Sequence, residues 1–68
     1  MKKNETPAKD REEKYFYEEF EPFPNTEIFF IKKLKRIHKG KNLFVDEIIF
    51  GNISKTKIWI KIFYTVDK

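Results

Sequence analysis

An α+β fold, with one helix packed on a small antiparallel sheet in the order strand, helix, strand, strand, is what this 68-residue chain predicts. Three observations lead to it. Residues 25–40, "NTEIFFIKKLKRIHKG", sort at helical spacing into an apolar arc and a basic arc. "KIWIKIFYTV", residues 57–66, alternates with the two-residue period of a strand. "LFVDEIIF", residues 43–50, brings a second β-branched and aromatic run to it across the turn-like "GNISK".

Taken in order, residues 1–14 are expected to be a flexible tail and residues 15–68 a single compact domain. Residues 1–13 carry one methionine and one alanine as apolar side chains, too few to offset the entropy lost on ordering. In "KYFYEEFEPFPN" the adjacent Tyr15, Phe16 and Tyr17 favour a strand over a short helix that would set Phe16 and Phe20 one turn apart. Pro22 and Pro24 fix two φ angles, remove two donors and end that element.

In the helical segment Phe30, Ile31, Leu34, Ile37 and His38 share one arc, while Lys32, Lys33, Lys35, Arg36 and Lys39 occupy the other. Ile28 and Phe29 fit this division poorly, since they lie toward the charged arc. Asn25 or Thr26 is placed to cap the first turn, Glu27 suits the positive N-terminus, and Gly40 is placed to close the helix in a left-handed conformation. On the next strand Leu43, Val45 and Ile49 are expected on one side and Phe44, Ile48 and Phe50 on the other. On the last, Ile58, Ile60 and Ile62 are expected under the helix, with Trp59, Lys61 and Phe63 on the opposite side. The competing architecture is a small all-β barrel in which 27–38 and 43–50 form a basic hairpin around "HKGKN".

Composition narrows the possible chemistry. With no cysteine there is no disulfide framework, thiolate metal site or cysteine nucleophile. The lone His38 sits on the apolar arc, where a packed, hydrogen-bonded role is expected. Ser54 has no cue linking it to a base, and two glycines cannot form a phosphate-cradling loop. Asp46 and Glu47, adjacent on a strand, are expected to point to opposite faces and not to act as a paired acid and base. No enzyme, metal or cofactor is expected. The N-terminus lacks an apolar stretch behind its charges and the longest apolar runs are far short of a membrane span, so the expectation is a cytoplasmic protein with no membrane contact.

Charge is unevenly distributed within the net +4: residues 1–24 carry five basic and seven acidic side chains, and residues 25–68 carry ten and four. Lysines 32, 33, 35, 39 and 41 with Arg36 form a stripe suited to neutralising phosphates. Trp59 and Phe63, with Lys61 between them, are the elements single-strand binders use to stack bases. The leading expectation is therefore a non-catalytic binder of DNA or RNA through Lys32, Lys33, Lys35, Arg36, Lys39, Lys41, Trp59, Lys61 and Phe63. The alternative is an adaptor or inhibitor of phage or mobile-element type that grips a host protein through its aromatic sheet face or through Tyr15, Tyr17 and Phe20. A homodimer burying the Trp59 face is a third expectation.

Overall fold

The computed structural model describes residues 11–67. Strand β1 (Arg11–Phe20) leads into helix α1 (Thr26–Ile37), followed by β2 (Leu43–Asn52) and β3 (Ile58–Asp67). The sheet is antiparallel in the order β1-β3-β2, so the last strand of the chain is the central one. This is the α+β architecture anticipated above, and the helix at 26–37 rules out the barrel, which needs that segment extended.

Strand period and register together assign the faces. Ile60, Ile62, Tyr64 and Val66 of β3 are buried under Phe30 and Leu34 of α1, joined by Phe20 of β1. The Phe30 ring lies 4.9 Å from Phe20 and 5.6 Å from Phe16, which ties the helix to the β1 side of the sheet. Full burial of a side chain of this size contributes about 1.5–3 kcal/mol, so this cluster is the principal source of stability for so short a chain. Phe20 thus belongs to the core. An even-numbered position on β1 puts it on the helix side, not on a partner-binding surface with Tyr15 and Tyr17.

Several expectations need correction. β1 begins at Arg11, so residues 11–14 of the expected tail are strand. Arg11 pairs with Asp67 at 3.6 Å and its guanidinium lies 4.5 Å from the Phe44 ring centroid, so contacts with β3 and β2 order a stretch that has little apolar content of its own. Residues 1–10 lie outside the described residues. Ile37, assigned to the apolar arc, is 60% exposed at the last turn of the helix, where His38 and not Ile37 reaches the sheet through Tyr64. Asn25 caps without its side chain: it takes a left-handed φ of 60° and its carbonyl accepts from the Phe29 N–H at 3.1 Å. Gly40 has the left-handed φ anticipated, 85°, but it does not close α1: His38 does, its N–H donating to the Leu34 carbonyl at 3.0 Å, and Gly40 shapes the turn beyond, where Lys41 N–H donates to the His38 carbonyl at 3.1 Å.

The largest departure is on β2. Val45 pairs with Tyr64, Glu47 pairs with the next residue of β3, Phe63, and Asp46 is left over as a bulge. One extra residue reverses the alternation beyond it. Leu43, Val45, Ile48 and Phe50 therefore share the helix side, while Phe44, Glu47 and Ile49 share the open side. Asp46 also reaches the open side, where its Oδ2 accepts from the Thr65 hydroxyl at 2.9 Å. The two adjacent carboxylates thus lie on one face, not on opposite ones.

Candidate functional site

The sheet divides the candidate residues into two sites facing opposite ways. On its open side the register sets three rows across β1, β3 and β2: Glu19, Trp59 and Gly51; Tyr17, Lys61 and Ile49; Tyr15, Phe63 and Glu47. The Tyr17 and Trp59 rings stack at 5.9 Å, and Tyr15 tilts against Phe63 at 6.4 Å. Lys61 Nζ stands between them, 5.3 Å from the Tyr15 ring centroid and 5.6 Å from that of Phe63. Such cation–π contacts hold an ammonium over an aromatic floor at partly exposed sites. The indole of Trp59 lies flat over Gly51, where a Cβ would overlap the ring.

Nothing among the described residues covers this floor. Tyr15 is 65% and Tyr17 45% exposed, because the N-terminal aromatic segment runs beside Trp59 and Phe63 as β1 and not over them. Further along, Phe44 is also exposed on this side. The charges around it are mainly negative: Glu13, Glu19, Asp46, Glu47 and Asp67 against Arg11 and Lys61. Arg11 is already paired with Asp67, and Glu19 Oε2 accepts from the Tyr17 hydroxyl at 2.9 Å. That bond, more than desolvation or the charge itself, raises the Tyr17 pKa.

The basic stripe lies on the other layer. Lys32, Lys35 and Arg36 lie at helical spacing on the side of α1 away from Phe30 and Leu34, Lys39 follows in the turn after the helix, and all four are exposed. Lys41 follows in the exposed turn. Among the described residues no carboxylate pairs with these five. Lys33 is set apart: its Nζ donates to Glu18 Oε1 at 3.2 Å and lies 5.7 Å from the Phe16 ring centroid, which bolts the helix to β1. The sequence therefore named both groups of residues, yet the structure does not bring them together. Lys61, Trp59 and Phe63 are separated from the helix cations by the sheet itself.

What sequence reasoning missed is the acidic rim. Glu13 fell within the expected tail, and the bulge that turns Asp46 and Glu47 to the same side has no local signature beyond two adjacent acids in an apolar run. His38 takes the packed role expected of it, sharing a 2.9 Å hydrogen bond between Nε2 and the Tyr64 hydroxyl. Among the described residues no group of three His, Asp or Glu side chains is placed to hold a metal ion, and no helix is long and apolar enough to cross a membrane. Comparison with protein-family models, curated proteins and solved structures finds no match to this chain.

Proposed function

We propose that this is a non-catalytic nucleic-acid-binding protein that contacts the phosphate backbone through the outer face of α1 and the turn after it, with Lys32, Lys35, Arg36, Lys39 and Lys41 as the contacting residues. The observation that carries this reading is the exposed stripe they form, unpaired among the described residues, with Lys33 excluded by its bond to Glu18. Lysines are flexible point charges, not planar forks, so the contact neutralises backbone charge and does not read bases. The aromatic face is not part of it. A polyanion crossing that face would meet more carboxylates than cations.

Titration of a labelled oligonucleotide, followed by anisotropy, tests the reading. Expected are a Kd of about 1–100 µM at physiological salt and, on duplex DNA, a slope of log K against log salt of about −4 for four to five phosphates neutralised. The triple variant K32E/K35E/R36E loses at least about tenfold in affinity, as each phosphate contact carries part of the electrostatic free energy. In dilute protein, Trp59 emission stays unchanged on binding. Absence of binding at low ionic strength overturns the proposal, and quenching of Trp59 would move the interface to the sheet.

A specific observation also favours the protein-directed reading for the other layer: an aromatic floor with an acidic rim is the composition of a surface that meets a basic partner.

A further inference from the structure

The outer face of α1 is not uniformly basic. Ile28 is 55% and Phe29 51% exposed at its N-terminal end, and Ile28 lies four residues before Lys32 on the same side of the helix. Phe29 packs edge-on against Phe23 and Phe30, with ring centroids 5.1 Å apart in each case, whereas Ile28 borders a surface cavity beside Phe50 and stays half exposed. Ile28, Lys32, Lys35 and Arg36 together make a surface that is apolar at one end and cationic at the other. The open face of the sheet has the complementary composition: aromatic in the middle and anionic at Glu13, Glu19, Asp46 and Glu47. Dimensions agree as well. Glu13 and Glu19 are about 20 Å apart along β1 and three strands are about 10 Å across, while a twelve-residue helix is about 18 Å long and about 10 Å wide.

We propose that the open aromatic face of the sheet docks the outer face of α1 from a second copy of the chain, so that domains associate head to tail. In this contact Ile28 and the methylene stems of Lys32 and Lys35 lie on the floor of Tyr15, Tyr17, Trp59 and Phe63. Their ammonium groups and the Arg36 guanidinium reach the rim carboxylates. A symmetric face-to-face dimer is disfavoured because it would set the acidic rim against itself. Head-to-tail contact is heterologous and leaves a free face at each end, so it extends into short stacks. The footprint is at the small end for protein interfaces, so association is weak and depends on concentration. The proposal concerns the same helix as the nucleic-acid reading but does not require it, since it is tested in the absence of nucleic acid.

Sedimentation or light scattering of the full chain at up to about 1 mM provides the test. Wild type is expected to show masses above the 8.4 kDa monomer, rising with concentration. One variant, K32E/R36E, spoils the helix face; another, E13K/E47K, spoils the sheet rim. All four positions are outside the core, and circular dichroism checks that both variants fold. Each variant alone is expected to be monomeric. Mixed together, each still has the face the other lacks, and the two reversed faces, one acidic and one basic, complement each other as well, so masses above the monomer return. Monomeric wild type at the highest concentration overturns the proposal. So does a closed dimer that either variant retains alone, or a mixture of the two that stays monomeric.

Discussion

Tyr64 shows how one residue links core, pH and the helix terminus. Its ring is part of the buried cluster, and its hydroxyl shares a hydrogen bond with His38 at the C-terminal end of α1. Burial raises its pKa above the ordinary 10.0, because the phenolate is costly to desolvate. A group whose pKa is raised by folding contributes stability that is present in full below pH 10.0 and is lost as pH rises through the folded value. Tyr64→Phe removes the hydrogen bond, at a cost of about 1 kcal/mol at neutral pH. Above about pH 10 the phenylalanine variant has no phenolate to bury, so its deficit against wild type shrinks. Denaturant midpoints of both proteins at pH 7 and pH 11 measure this. Tyr17, also raised, titrates in both and cancels in the difference. A deficit that stays the same at pH 11 would mean that Tyr64 ionises without penalty, and one that grows would mean that folding lowers its pKa.

At the scale of elements, α1 was legible because Phe30, Ile31 and Leu34 share one helical arc that strand alternation would split between two faces. β3 was legible in full: its strict alternation anticipated Ile60 and Ile62 beneath the helix and Trp59, Lys61 and Phe63 opposite. β2 was legible as a strand but not as two faces, since its apolar residues fit either assignment and the bulge decides between them. β1 was legible from Tyr15 onward, because Arg11 to Lys14 are ordered by partners distant in sequence. The bulge leads to an unusual expectation for a deletion. Removing Asp46 restores regular pairing, and Leu43, Val45, Ile48 and Phe50 stay on the helix side. Deleting Ile49 instead turns Phe50 to the open side and puts Gly51 in its place. The Asp46 deletion is therefore expected to remain folded with a change in unfolding free energy within about 1–2 kcal/mol, the range of an ordinary point mutation. The Ile49 deletion is expected to lose more. Urea denaturation compares the two, and equal losses would show that the bulge does not set the faces.

For the whole molecule, the decisive feature is polarity across the sheet: cations on the helix layer, aromatic rings and carboxylates on the other. Net charge alone hides this, because +4 is the sum of a strongly basic surface and an acidic one. At physiological salt, screening over about 8 Å lets each face act on what it touches almost independently of the other. If stacking and phosphate binding both use the outer face of α1, they exclude each other. Nucleic acid is then expected to dissolve the stacks, and added protein to compete with nucleic acid, by the reciprocity of linked equilibria. At about 1 mM protein, short unlabelled oligonucleotide should lower the mean protein assembly size toward one chain per bound site. Trp59, covered in a stack and uncovered on release, should shift its emission to longer wavelength in step with that change. In K32E/R36E neither signal should move. An oligonucleotide that instead enlarges the assemblies, with Trp59 still covered, would mean that phosphate contact and stacking occupy different residues, so that the stripe is divided between two partners.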